Sequence, residues 1–272
     1  MNVDRNNQSI LRRFSAAAHT YHGHASVQQT IGERLAEMID HDFEPSSILE
    51  IGCGTGVLTR LLLDIFPGTR ICALDLSERM IEQACRYCGF SRRVEWQVAD
   101  AAGFAADHPF SLIISNCALH WVLPIERAFK NLAPQLEPDG QLICSVMLHG
   151  TLQELHDTRL HVAPRKKPQH QMPSENEVMD GLVNSGLDIL KAKVEPFEIA
   201  YNSAQAFLRA IHDQGLTGGT YSSAQHPLTR GELELLCRLY EKNYSTLGGV
   251  RATYRAGFFI ARKPELSLPG GL

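Results

Sequence analysis

Apolar and polar positions change period along this chain. From Ile10 to about Asp40 apolar residues recur three or four apart, with Tyr21, Ala25, Val27, Ile31, Leu35 and Met38 on one face. That spacing predicts a helix pair broken near Gly23, while residues 1–10 are polar and expected to fray. Residues 47–147 alternate short apolar runs with amphipathic stretches, the pattern of a parallel βαβ array. Strands are expected at 48–51, 70–75, 94–100, 110–116 and 141–148. Helices follow from Val57, from a Ser77 cap through about Cys88, and around Ile125 to Leu132, with a turn at Pro138-Asp139-Gly140. The alternation falters after Leu148. Ser174-Glu-Asn-Glu177 then reads as a capping box, opening a helix to about Ser185 with Gly186 as its stop. Leu187 to Ala200 is strand material, 203–247 is helical with a break at Gly215-Leu-Thr-Gly-Gly219, and Ala252 to Arg262 is a last strand.

The resulting fold is α/β and Rossmann-like, a seven-stranded mostly parallel sheet with helices on both faces, an N-terminal helical flap and helical cap insertions. Residues 1–46 form the flap, 47–148 the core, 149–173 a cap insertion and 174–202 a core continuation. A second cap insertion spans 203–249, the last core strand 250–264 and a flexible tail 265–272. The two insertions are expected to cap the carboxyl edge of the strands.

The stretch Ile48 to Gly56 carries the most chemistry. A short buried strand ends at Gly52, and Gly52, Gly54 and Gly56 let the backbone turn tightly beneath a ligand before the next helix begins. Val57 stands where the dinucleotide fingerprint read from Gly52 needs a small residue, and no phosphate loop ends in Lys-Ser or Lys-Thr. Glu50 lies two residues before the first glycine. This acid-x-G-x-G-x-G run resembles motif I of the class I S-adenosylmethionine (AdoMet) methyltransferases, where a carboxylate meets an ammonium. Asp75 ends the second strand 19 residues beyond Gly56, where such folds place an acceptor for ribose hydroxyls. Asp100 ends the third strand as read, and Asn116 ends the fourth.

Composition narrows the class. Of 272 residues, 44% are hydrophobic and 21% charged, ordinary for a globular chain, and the net charge of −4 disfavours a general polyanion binder. No apolar run approaches the roughly 18 residues that span a bilayer, and the N-terminus shows no secretory signal, so a cytoplasmic protein off the membrane is expected. Seven scattered cysteines read as reduced thiols, and Cys85-Arg-Tyr-Cys88 has no second pair at zinc spacing, so no metal is expected. Asn116-Cys117-Ala118-Leu119 lacks the paired prolines of amide and exocyclic-nitrogen methyltransferases, which disfavours a nucleic-acid target. Arg165-Lys166-Lys167 is either a solvated loop or a docking point for an anionic partner.

Over residues 12 to 263 the chain resembles the malonyl-acyl carrier protein O-methyltransferases of biotin synthesis, the BioC family. The resemblance rests on Arg13-Phe14-Ser15, Ala17-Ala18, Tyr21, Ala25, Val27-Gln28, motif I, Asp75-Leu-Ser77 and Ser115-Asn116. It continues through Trp121, Gly150-Thr-Leu-Gln-Glu-Leu155, Thr253-Tyr254 and Ile260-Ala261-Arg262. The family's Arg-Phe before the hydrophobic-Pro pair is His170-Gln171 here, and its Gly-Ala-Thr/Asn segment is Gly215-Leu216-Thr217. The resemblance implies AdoMet as cofactor, S-adenosylhomocysteine as product, and contacts from Glu50, Gly52, Cys53, Gly54, Gly56, Asp75, Leu76, Asp100, Ala101 and Asn116. Tyr21, Trp121 and Asn116 are the expected methyl-transfer residues. Arg159, Arg209 and Arg255 are candidates for orienting a malonyl carboxylate, with Arg165, Lys166 and Lys167 facing an acidic carrier protein. A malonyl carboxylate (on a carrier, or on CoA) is ionised near neutral pH and needs no general base. A monomer is expected. Two other readings stay open: a methyltransferase on a free small acid or quinone-type carbon, and a non-catalytic AdoMet-binding protein.

Overall fold

The computed structural model describes residues 2–40, 42–168, 170–217, 221 and 227–265. In chain order the elements are α1 (Asn2–His24), α2 (Ser26–Ala36), β1 (Ser47–Ile51), α3 (Val57–Ile65), β2 (Arg70–Asp75) and α4 (Glu78–Cys88). There follow β3 (Val94–Val98), β4 (Phe110–Asn116), α5 (Glu126–Leu132), β5 (Leu136–Met147), α6 (Gln153–Val162) and α7 (Glu175–Val183). The last are β6 (Asp188–Tyr201), α8 (Ala204–Asp213), α9 (Arg230–Tyr244), β7 (Ser245–Thr246) and β8 (Gly249–Arg262). The tail 266–272 and Gly218-Gly219 of the glycine-rich break lie outside the described residues.

Strand order is β3-β2-β1-β4-β5-β8-β6, with β7 pairing antiparallel to β8. The expected seven strands are present, and the two-residue β7 is an eighth. Strands β3, β2, β1, β4 and β5 pair in parallel, with Ile51 opposite Leu74, Asp75 opposite Val98, and Asn116 opposite Ser145. Order reverses between β1 and β4, which makes their carboxyl ends a topological switch point. Central β1 and β4 read as continuous apolar runs because they are buried on both faces: Ile48, Leu49, Ile51, Leu112, Ile113 and Ile114 are all sealed.

The chain divides into two compact units. One comprises residues 28–146, 174–194 and the chain from 257 on, and holds the parallel strands with α3, α4, α5 and α7. Its α5 and α7 approach closely because Gly181 leaves room for the Phe129 ring, which a Cβ there would meet at 2.9 Å. The other comprises 1–27, 147–173 and 195–256. There α1 is bound to the end of α8: Thr20 Oγ1 donates to Asp213 O at 2.9 Å, and Gln214 Nε2 to His24 O at 2.7 Å. Helix α6 packs on α9, and the Phe207 and Tyr240 rings meet at 5.3 Å.

Four expectations are corrected. Residues 2–10 are helical, not frayed, because the buried positions Ile10, Ala17 and Ala18 and the Arg13 Nε to Ser9 O bond carry the helical register back. The turn at Pro138-Asp139-Gly140 lies inside β5 as a bulge: pairing steps from Phe110–Leu136 to Leu112–Gln141. Asp139 there takes φ +62°, and Lys263 exchanges backbone hydrogen bonds with Asp139 and Gly140. Strand β3 stops at Val98, because the Asp100 carbonyl accepts the Gly103 and Phe104 N–H groups and closes a turn. Helix α6 escaped the apolar pattern because its buried face is polar: Glu154 and Thr158 point inward, and Glu154 Oε1 accepts Thr253 Oγ1–H at 2.5 Å.

Candidate active site

After β1 the chain turns through three residues in the left-handed region, Gly52 (φ +69°), Gly54 (φ +55°) and Gly56 (φ +86°). Side chains are excluded there by sterics as well as by conformation. A Cβ on Gly52 would fall 2.3 Å from Ala118 Cβ, and one on Gly56 would fall 2.9 Å from Cys88 Sγ. The turn is tied to β2: Cys53 N–H donates to Leu74 O and Gly54 N–H to Asp75 Oδ2, both at 2.9 Å. Cys53 is buried, and burial above all raises its thiol well above the ordinary range, so it is an inert packing thiol.

Asp75 organises the turn. Its Oδ2 accepts Gly54 N–H, and its Oδ1 accepts Ser77 N–H at 2.8 Å, at the N-cap of α4. Burial pushes the carboxyl up to about 6, and the backbone N–H groups of Ser77, Gly54 and Leu76 oppose that shift. Glu50 is 1% exposed and accepts Thr59 Oγ1–H from α3 at 2.6 Å. Burial is again the first cause, raising it to about 7; the Thr59 hydroxyl pulls down, and the charge on Asp75 pushes up. When ionised, two buried carboxyls behind one glycine turn suit a cationic ligand and would repel a pyrophosphate.

Asp100 sits in the turn after β3, its Oδ1 accepting Ala102 N–H at 2.9 Å. Asn116 ends β4, and its amide bridges two elements: Nδ2 donates to Gln28 O on α2 at 2.8 Å, while Oδ1 accepts Ser145 Oγ–H from β5 at 2.7 Å. Gly32 makes room for that amide, since a Cβ there would lie 2.9 Å from Asn116 Nδ2. Cys117 then takes φ +51°, its N–H donating to Ser145 Oγ at 2.9 Å. Trp121 closes a short 3-10 turn, its ring 5.2 Å from that of His120. Burial drives His120 down to about 3, so it is neutral at any working pH.

Gly52, Gly54, Asp75, Leu76, Asp100, Ala101, Asn116 and Trp121 all keep partial exposure, whereas the central strands β1 and β4 are largely buried. These residues lie at or just beyond the carboxyl ends of β1, β2, β3 and β4, so the fold brings them to one edge of the sheet. Thr59, Ser145 and Gly32 were missed by the motif reading, as was the contact that Gln28 makes with Asn116. Thr59, Ser145 and Gln28 each bond a motif residue and Gly32 leaves room for one, and only their positions in space reveal it.

The remaining expected residues belong to the other unit. Tyr21 lies on α1, edge-on to Phe14 with ring centroids 6.0 Å apart. Arg159 on α6 is half-buried, its Nε donating to Lys166 O at 3.5 Å, and burial lowers its pKa. Lys166 is engaged: Nζ pairs with Glu232 Oε2 at 2.6 Å and donates to Pro227 O at 2.9 Å. The Lys166 bond is the main cause holding Glu232 down to about 2. Arg165, Lys167 and Arg209 are exposed. Arg255 on β8 is exposed and donates through Nη1 to His149 O at 3.3 Å. All seven cysteines are free thiols, and no group of three or more metal-ligating side chains occurs among the described residues.

Residues 48–140 match the family model described as a methyltransferase domain. A structure assigned as a methyltransferase from Bacillus halodurans C-125 superposes with a TM-score of 0.62 at 13% identity. It covers 86% of this chain and 99% of that one, a likeness of fold alone. Two malonyl-acyl carrier protein O-methyltransferases are similar from end to end. That of Priestia megaterium is 32% identical over 95% of this chain and 98% of its own. That of Halalkalibacterium halodurans is 30% identical over 91% of this chain and 95% of its own. Similarity of this extent runs through both units, well beyond the shared methyltransferase core, and it places the chain in the malonyl-acyl carrier protein O-methyltransferase family.

Proposed function

We propose that this protein is an AdoMet-dependent carboxyl O-methyltransferase that esterifies the free carboxylate of a malonyl group carried on acyl carrier protein, early in biotin synthesis. The observation that carries the reading is the acid-flanked glycine turn at the β1/β4 switch point, in a chain similar over its whole length to enzymes named for that reaction. The donor set fits AdoMet. Glu50 faces the ammonium end, Asp75 accepts the ribose hydroxyls, and Asp100 with Ala101 reads adenine, while Gly52, Cys53, Gly54, Gly56, Leu76 and Asn116 line the path. AdoMet supplies the sulfonium methyl group. Alignment of the acceptor and exclusion of water are the work of the protein, and Tyr21, Trp121 and Asn116 are the methyl-transfer residues of this reading. A carboxylate nucleophile needs no proton removed, which agrees with the buried, neutral His120. Arg159, Arg209 or Arg255 orients the malonyl carboxylate. The enzyme works as a cytoplasmic monomer.

Arg165 and Lys167 are the cations of the basic loop left for an acidic carrier, since Lys166 is held by Glu232. The double reversal Arg165→Glu with Lys167→Glu is expected to raise KM for malonyl-carrier protein by about tenfold, with less than a twofold change on malonyl-CoA. Steady-state methyl transfer on both substrates is the test, and equal effects on both would remove this loop from carrier recognition.

The raised carboxyls also set a pH dependence. Folded Glu50 and Asp75 titrate at about 7 and about 6, above their ordinary values, so the folded state holds protons that the unfolded chain has lost. Their contribution to stability is therefore full below about pH 4 and is lost as pH rises through 6 to 7. A bound ammonium favours ionised Glu50, so cofactor affinity runs the other way, rising with pH by up to about tenfold per unit below 7. Calorimetry of S-adenosylhomocysteine binding between pH 5.5 and 8 checks this. The slope is expected to shrink in Glu50→Gln, and a wild-type affinity independent of pH would contradict it.

A further inference from the structure

The turn after β3 is closed by hydrogen bonds of its own, with Asp100 O accepting Gly103 and Phe104 N–H, and it is tied to α5 by side chains from further along the chain. Ala99-Asp100-Ala101-Ala102-Gly103-Phe104-Ala105-Ala106 contains one polar side chain, Asp100, whose Oδ1 accepts Ala102 N–H. Two amides further along the chain tie it to α5. Asn131 on α5 donates through Nδ2 to both Ala101 O and Phe104 O, each at 2.9 Å. Gln135, in the 3-10 turn after α5, donates through Nε2 to Phe104 O at 2.9 Å and to Asn131 O at 3.0 Å. Its Oε1 accepts Ala106 N–H at 3.0 Å. Both protons of each amide nitrogen are thereby used, and the two side chains brace the turn on the side given to α5. On the side of the sheet, Ala99 N–H donates to Asp75 O at 3.0 Å.

We propose that Asn131 and Gln135 are positioning residues that set the cofactor's base specificity, by holding Asp100 and Ala101 in the geometry that distinguishes adenine from other purines. This rests on the reading above in which Asp100 and Ala101 meet adenine. An exocyclic amino group is recognised by an acceptor at a fixed place, and a turn free to shift as a body against α5 would also tolerate a base that lacks it. Two rigid amides convert the turn into a fixed reader. The substrate end of the site is untouched by them.

The test compares S-adenosyl-L-homocysteine with S-inosyl-L-homocysteine, which carries a carbonyl in place of the amino group, by calorimetry on the full chain. The variants are Asn131→Asp, Gln135→Glu and Asp100→Asn, with a melting temperature for each. Asn131→Asp keeps the shape of the side chain but turns an oxygen toward two carbonyl oxygens. The wild type is expected to prefer the adenosyl compound by at least about tenfold, and Asn131→Asp to reduce that preference several-fold. Asp100→Asn should lower it too, and Asn131→Asp combined with Asp100→Asn should lose little more than either alone, because the two act on one contact. Should Asn131→Asp fail to fold, Gln135→Glu carries the same expectation. If Asp100→Asn leaves the preference intact, the adenine reading fails and the proposal with it. If Asp100→Asn lowers the preference while Asn131→Asp and Gln135→Glu keep it, the reading stands and the proposal is overturned. Equal losses for both ligands with a lowered melting temperature would make the two amides structural only, and would also overturn it.

Discussion

Alanine at Gly52 is expected to lower the melting temperature by roughly 10 °C and to abolish measurable S-adenosylhomocysteine binding at micromolar ligand. Gly52 has φ +69°, and its Cβ would stand 2.3 Å from Ala118 Cβ. The left-handed conformation costs a side chain about 1–2 kcal/mol. Forcing a methyl group against Ala118 adds about 1–3 kcal/mol, because the neighbour is a short side chain with no rotamer to escape through. A loss of about 2–5 kcal/mol in a chain of this size moves the melting temperature by roughly 5–15 °C. Relief by movement of the turn would swing Gly54 N–H away from Asp75, so binding falls further than stability does. Gly68→Ala, where nothing lies within 4 Å of the added carbon, is the matched control and should change neither. Thermal melts and calorimetry on the two variants check the expectation, and a Gly52→Ala protein that binds like wild type would remove the turn from the cofactor site.

Asp75→Asn has the second largest expected effect, about a hundredfold loss of S-adenosylhomocysteine affinity. The carboxylate accepts one backbone N–H on each oxygen, from Gly54 and from Ser77. An amide of the same shape can satisfy one of these donors, but its NH2 must face the other. It also takes the charge away from the proposed ribose hydroxyls. Hydrogen bonds to a charged acceptor contribute about 1.5–3 kcal/mol each, so losing one internal bond and weakening the ribose contact reaches the stated factor. Calorimetry measures it, with the circular dichroism of the variant as the check that the fold persists. A loss below about threefold would mean that Asp75 shapes the turn without touching the cofactor.

The sequence made the parallel half of the sheet legible because its signals are local. Strands β2 and β4 begin and end where their apolar runs do, and Ser77 and Ser174 cap the helices that their side chains were expected to start. Glycines at positive φ and acids at strand ends are likewise written in short stretches of chain, so the candidate site could be assembled by residue number. What escaped is carried by partners far apart in sequence. The bulge in β5 depends on Lys263, some 120 residues beyond it, and polar pairing with Thr253 hid α6 from an apolar pattern. Asn116 was read as opening onto the reaction centre, and no motif could show that its amide also bridges Gln28 and Ser145. Lys166 looked like one of three equivalent loop cations until Glu232 was found beside it. Roles that depend on which side chain stands across a gap are invisible to periodicity and spacing.

On the proposed function, this chain moves a methyl group from AdoMet to a malonyl carboxylate on a carrier protein. Incubation of the purified protein with methyl-labelled AdoMet and malonyl-acyl carrier protein, beside acetyl-carrier protein and malonyl-CoA, tests it most directly. Label is expected on the malonyl carrier, with slower or weaker labelling of malonyl-CoA, none on the acetyl carrier, and release of the label by mild base as an ester requires. Label that resists base, or AdoMet binding with no transfer to any of the three, would contradict it.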